Sequence, residues 1–318
     1  MSGGIAVLGA GAFGTALAIA LARHGAQVTL WARAGAAEIA AARQNTARLP
    51  GIGLPASVEV TGSLASAARA EVLLLALPMQ ACRAFLEENS APLGGRTIVA
   101  CCKGIDLTTG ETPDALIARS VPDAAVALLS GPSFALDIAA GLPTALTLAM
   151  AEDAAGAVLQ ARLATPTLRL YRSTDLTGVA LGGALKNVIA IACGVAMGAG
   201  LGESARAALM TRGYAEMRRF AVSAGAQDET LAGLSGLGDL ALTCTSEKSR
   251  NYRYGLALGR QGRATATETT EGIATALAVA GMVGEEMPVT RMVAALVEGR
   301  VGVAEAAEAL LSRPLRPE

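Results

Sequence analysis

The first half of the chain repeats one pattern: a short apolar run, a turn, then a longer segment with helical spacing. The apolar runs are residues 5–8, 27–31, 58–61, 72–76, 97–101, 125–130, 144–149 and 168–171. Runs of this length bounded by turn residues read as buried strands. Segments 15–24, 36–43 and 80–88 carry helical spacing, and Gly25 is placed to end the first of them. Strands alternating with helices predict a mostly parallel sheet with crossover connections. After about Asp175 the rhythm changes to helices alone, over 179–196, 204–224, 250–258, 269–281, 288–298 and 303–311. A chain of 318 residues exceeds a comfortable single core. The expected division is an α/β domain over 1–175 and an all-helical domain over 176–318.

Composition narrows the possible partners. Lys and Arg number 26 against 27 Asp and Glu, so a nucleic-acid surface or a polybasic membrane patch is not expected. Residues 178–202 are apolar enough to imitate a membrane span, but they contain Lys186, Asn187 and seven glycines, which argues against one. No basic segment precedes the first apolar run, so no secretory signal is read. The five cysteines form no CxxC, and two are adjacent, which points to buried free thiols in a reducing cytoplasm and to no metal site. Only three of the cations are lysines, Lys103, Lys186 and Lys248. A surface cation tolerates exchange of Lys for Arg, whereas a site that needs a compact, deprotonatable ammonium does not. The three lysines are therefore candidates for chemistry.

Gly9-Ala10-Gly11-Ala12-Phe13-Gly14 fits GxGxxG and stands between the first strand and the first helix, with a second strand ending about twenty residues on. In that setting Gly9 permits a tight turn, Gly11 lets the backbone approach a pyrophosphate, and Gly14 lets the helix pack on the sheet. The helix N-terminus then presents N–H groups to the phosphates. This is the fingerprint of a Rossmann-like dinucleotide-binding domain. Its second strand ends in Trp31-Ala32-Arg33, without the acid that would hold the ribose hydroxyls of NAD. Arg33 could pair with a 2′-phosphate, which favours NADPH with NADH possible, or could be a solvated surface arginine.

Reduction of a carbonyl by hydride transfer requires a proton donor. The single histidine, His24, falls at a helix end beside Gly25 and reads as a solvated end residue, which leaves lysine. Lys186 sits in Gly182-Gly183-Ala184-Leu185-Lys186-Asn187, on a helical face of small residues where a long cation could project into a cleft or snorkel at a domain edge. Burial and a second ammonium would each favour its neutral form. Lys103 follows a strand at the carboxyl edge, where ligands of open α/β sheets bind, and Ser130-Gly131-Pro132-Ser133-Phe134-Ala135 follows the next strand. A third cluster pairs Gly236-Leu237-Gly238-Asp239 with Lys248-Ser249-Arg250-Asn251. There Ser249 could cap a helix and help form a phosphate cradle, or simply begin an ordinary helix.

Together, GAGAFGTALA, CCKGID, SGPSFALDIAAGLPTA, GGALKNVIAIACG, ARAALMTRGYAEM and GLSGLGDLALTCTSEKSRNYRYG resemble, in this order, the bacterial NAD(P)-dependent glycerol-3-phosphate dehydrogenase family. The resemblance implies reversible reduction of dihydroxyacetone phosphate to sn-glycerol 3-phosphate for phospholipid synthesis, by a cytoplasmic enzyme expected to be a homodimer. It implies that Lys186 is the proton donor and acceptor, and that Lys103, Gly131, Ser133, Asp239, Ser249, Arg250 and Asn251 bind substrate. Ala12, Phe13, Arg33, Lys103, Ala135, Arg250, Thr269 and Glu271 match cofactor-contacting positions, beside Gly9, Gly11 and Gly14. Ala12 departs from a serine common there, Met197 from an Asp and Gln80 from a His.

Overall fold

The computed structural model describes residues 4–265, 270–282 and 286–311. Contacts divide the chain into two compact units, Met1–Lys103 with Glu111–Ala180, and Gly104–Gly110 with Leu181–Glu318. The division expected at 175/176 falls at the start of the helix Leu176–Gly198, whose first turn packs with the sheet unit. A single linear boundary also does not describe residues 104–110. Ile105 is buried in the core of the helical unit beside Leu181 and Leu185.

Among the described residues, the sheet unit holds β1 (Ile5–Leu8), β2 (Val28–Trp31), β3 (Val58–Thr61), β4 (Val72–Leu75), β5 (Thr97–Ala100), β6 (Ala125–Ser130), β7 (Thr144–Met150) and β8 (Leu168–Ser173). Their order is β3-β2-β1-β4-β5-β6-β7-β8. All eight expected strands form. The central runs are continuously apolar because both faces are covered: Val7, Leu30, Leu74 and Val99 fill one core, and Leu8, Leu73, Leu75 and Ile98 the other. The edge strands β3 and β8 alternate instead, with Glu59 and Arg169 exposed. Only the β6–β7 pair is antiparallel, with Ser130 opposite Thr147. The connection between these strands contains the helix Ala135–Ala140 yet returns along the same edge, so a helix between strands does not by itself impose a crossover.

Several helix boundaries shift by a few residues from expectation, two of them for clear local reasons. The first helix is Ala12–Arg23, beginning inside the glycine motif, with Gly11 as its cap and no side chain capping it. The expected helix 80–88 runs on to Leu93 across a kink at Asn89, whose amide donates to Phe85 O at 2.8 Å.

The helical unit is built around Leu176–Gly198. This helix is long and apolar enough to span a membrane, but its apolar window is wholly buried, so it is a core helix. Leu185, Ile189 and Cys193 face one core, and Val188, Ile191 and Val195 another. Across it lies Arg250–Gln261. A Cβ on Gly255 would come 2.1 Å from Ile191 O, and one on Gly194 would come 2.2 Å from Tyr252 O. Glycine on both helices lets the two backbones touch. Glu216, buried on Gly202–Ser223, accepts the Val289 N–H at 2.9 Å and so caps Pro288–Val297. The cysteines are free thiols, four buried as expected; Cys102 is only half-buried. Burial pushes the Cys101 thiol up to about 12 and raises Cys244 well above the usual range, so both stay protonated and unreactive.

Candidate active site

In the sheet unit, the expected residues gather along the carboxyl edge of the parallel strands. Gly9 follows β1 with φ of +121°, and a Cβ there would lie 2.7 Å from Ala76 O, so the turn requires glycine. Gly14 sits in the first helical turn, where a Cβ would come 2.2 Å from Gly9 O. Gly11 is different. A Cβ there would meet nothing closer than Ala76 O at 4.0 Å, so packing within the chain does not demand glycine. The helix that starts next has no acid in its first turn, and Ala12 and Phe13 are its first two residues. An uncapped N-terminus behind a glycine turn fits a dinucleotide pyrophosphate. Arg33 is exposed just beyond β2.

Two candidates at this edge converge on the carbonyl of a third. Lys103 Nζ donates to Gly131 O at 3.0 Å, and Ser133 Oγ donates to the same oxygen at 3.2 Å. Gly131 has φ of +142°, and a Cβ there would press on Leu146 at 3.1 Å. Ala135 opens the short helix that follows, half-buried. Gln80 is exposed on the helix after β4.

In the helical unit, Lys186 is 7% exposed and donates to Asp239 Oδ1 at 2.8 Å and to Thr243 Oγ1 at 2.8 Å. Thr243 in turn donates to Asp239 Oδ1 at 3.2 Å. The carboxylate is 1% exposed, so this is a buried ion pair with a hydroxyl closing the triangle. The charged partner that this triangle gives the lysine is the Asp239 carboxylate. The backbone shape behind this is unusual. Leu234–Gly238 forms a π-helical turn directly before the helix Asp239–Cys244. A Cβ on Gly182 would strike Ser235 O at 2.9 Å, so glycine brings the lysine helix against that turn. π-Turns of this kind concentrate at functional sites. Thr243 escaped the sequence reading, although its place four residues after Asp239 puts both on one helical face.

Ser249 caps Arg250–Gln261, its Oγ accepting the Tyr252 N–H at 3.2 Å. The ordinary helix-start role is thus real, and the hydroxyl still has its own hydrogen to donate. Arg250 is exposed. Asn251 is buried and donates to Asn187 Oδ1 at 2.9 Å while accepting the Gly272 N–H at 3.0 Å. It ties the cap of this helix to the residue after Lys186. Glu271, half-buried, begins the helix Glu271–Met282; Thr269 lies outside the described residues. Met197 is half-buried near the end of the lysine helix. Among the described residues no cluster of three or more His, Cys, Asp or Glu could hold a metal.

Comparison with known proteins places this geometry. Residues 4–156 match the model for the NAD-dependent glycerol-3-phosphate dehydrogenase N-terminus, and residues 175–308 that for its C-terminus. The glycerol-3-phosphate dehydrogenase (NAD(P)+) of Ruegeria sp. strain TM1040 is 59% identical, with 99% of each chain covered. That of Paracoccus denitrificans is 56% identical, again over 99% of each. The crystal structure of glycerol-3-phosphate dehydrogenase from Coxiella burnetii superposes with a TM-score of 0.92 at 34% identity, covering 98% of this chain and 99% of that one. The glycine turn, the buried lysine and these likenesses agree, and the chain belongs to the NAD-dependent glycerol-3-phosphate dehydrogenase family.

Proposed function

We propose that the protein reduces dihydroxyacetone phosphate to sn-glycerol 3-phosphate, reversibly, with Lys186 as proton donor. The observation that carries this reading is the Lys186 ammonium, buried and held at 2.8 Å by both Asp239 and Thr243. When bound, a reduced nicotinamide dinucleotide supplies the hydride. The glycine turn and the first helix N-terminus hold its pyrophosphate, with Arg33 at its adenosine end and Ala135 and Glu271 as further contacts. Lys186 gives a proton to the oxygen that becomes the C2 hydroxyl, and in the oxidative direction takes it back. Asp239 fixes where the lysine's protons point. Ser249, Arg250 and Asn251 take the substrate phosphate through a hydroxyl, a guanidinium and an amide hydrogen at a helix N-terminus. Lys103, Gly131 and Ser133 orient the three-carbon body. The product carries the glycerol phosphate backbone of phospholipids, so the reading extends to their supply by a cytoplasmic homodimer.

A substrate panel tests this reading. NADPH oxidation is expected with dihydroxyacetone phosphate and not with unphosphorylated dihydroxyacetone or with keto acids. Turnover of a keto acid in preference to the phosphorylated triose would replace the reading with a different dehydrogenase. Arg250→Ala is expected to raise the dihydroxyacetone phosphate KM roughly tenfold or more, the scale of one charged hydrogen bond. Loss of kcat at unchanged KM would remove Arg250 from phosphate binding. Arg33 sets an expectation for cofactor choice. The wild-type KM for NADPH should lie below that for NADH, and Arg33→Ala should raise only the former; a clear wild-type preference for NADH contradicts this.

A further inference from the structure

We propose that Asn45 is the positioning residue of the glycine turn, holding it in the form that receives a dinucleotide pyrophosphate; this rests on the reading of that turn given above. Asn45 is 2% exposed, and its Nδ2 donates to Ala10 O at 2.9 Å and to Thr15 Oγ1 at 2.8 Å. One carboxamide nitrogen therefore spans the motif, from the residue between Gly9 and Gly11 to the residue after Gly14. The bond to Ala10 has a directional consequence. The Ala10 carbonyl and the Gly11 N–H belong to one planar trans peptide and point opposite ways. Anchoring the carbonyl toward buried Asn45 therefore turns the Gly11 N–H away from Asn45. Without that anchor the peptide is free to rotate, and a carbonyl oxygen facing a phosphate would repel it.

The segment that carries Asn45 is braced to hold this position. Arg43 adopts the left-handed conformation at φ of +49°. Its guanidinium donates to Val58 O at 2.9 Å, to Leu54 O at 3.4 Å and to Pro55 O, while Gln44 bridges Gly53. The Asn45 carbonyl accepts the Leu49 N–H at 2.8 Å. Both ends of residues 43–58 are thus tied together, and Asn45 is presented to the glycine turn by a closed loop. A left-handed non-glycine residue is costly and persists where its surroundings enforce it.

The test compares two ligands on the wild-type and Asn45→Ala proteins. NADPH binding is followed by nicotinamide fluorescence, and adenosine 2′-phosphate, which lacks the pyrophosphate, by competition. The NADPH dissociation constant is expected to rise about tenfold or more, the scale of a lost buried hydrogen-bond partner. The constant for adenosine 2′-phosphate, and the dihydroxyacetone phosphate KM at saturating NADPH, should stay unchanged. Thr15→Val, which removes one of the two anchors and keeps the Ala10 bond, should give a smaller loss. An unchanged NADPH constant in Asn45→Ala overturns the proposal, as does an equal weakening of both ligands, which marks a general loss of structure. If Asn45→Ala does not fold, Asn45→Asp keeps the shape without the donor and faces the same two outcomes. Wild-type protein that binds NADPH yet leaves dihydroxyacetone phosphate unreduced would defeat the functional reading while leaving this comparison decisive for Asn45.

Discussion

Replacing Lys186 by alanine is expected to lower kcat by about two or more orders of magnitude, the range over which a positioned acid contributes to proton transfer. The alkoxide formed at C2 then loses the donor positioned to protonate it. Lys186→Arg should not rescue the activity, because a guanidinium does not give up a proton at neutral pH and its planar fork does not fit a site built for a point charge. Stability confounds the simple variant. Asp239 is 1% exposed, and removing its cation leaves a buried carboxylate without its ion partner. Breaking a buried pair from one side costs about 3–5 kcal/mol. The double variant Lys186→Met with Asp239→Asn removes both charges, so it should recover most of that stability and none of the activity. Thermal melts and steady-state kinetics on the three proteins separate the two effects. Near-normal turnover in Lys186→Ala would remove the lysine from the chemistry.

Gly255→Ala is expected to destabilise the helical unit by about 3 kcal/mol, the upper range for overpacking a well-filled core. The added Cβ would come 2.1 Å from Ile191 O and 3.0 Å from Val195 N, both backbone atoms that cannot rotate away. At roughly 2–4 °C per kcal/mol, the melting temperature should fall by about 10 °C. Activity should fall as well, because separating these helices moves the Ser249–Asn251 cap away from the residue beside Lys186, which Asn251 contacts at 2.9 Å. Gly281→Ala is the control. It sits on the exposed side of Glu271–Met282 with nothing within 4 Å, so alanine should be neutral or slightly stabilising. Equal melting temperatures for the two variants would show that the helix crossing tolerates separation.

What the sequence made legible was local. Most strands of the sheet, such as Ile5–Leu8 and Val72–Leu75, are short apolar runs buried on both faces, so the pattern suffices without knowledge of pairing. The glycine turn, Lys103 and Lys186 stand out because their residue types are scarce or their spacing is fixed by a nearby strand or helix. The features that escaped depend on residues far apart in the chain. Asn45 reaches Ala10 from 35 positions away, and nothing around it resembles a turn-binding motif. The direction of β7 is set by how the 131–143 connection folds back, which apolar spacing does not encode. Gly194, Gly198, Gly255 and Gly259 are visible as two glycine pairs, yet that they face each other is a tertiary matter. The ion pair shows the same limit. Lys186 and Asp239 each stand out as candidates in the sequence, but only the fold shows that they pair with each other.

The most direct test of the account follows the hydride itself. Wild-type protein is incubated with dihydroxyacetone phosphate and NADPH deuterated at the transferable position of C4, and the product is analysed by mass spectrometry. The account predicts sn-glycerol 3-phosphate carrying one deuterium at C2, formed in step with cofactor oxidation and lost when Lys186 is replaced by alanine. Cofactor oxidation without labelled glycerol 3-phosphate, or no oxidation with this substrate at all, would contradict it.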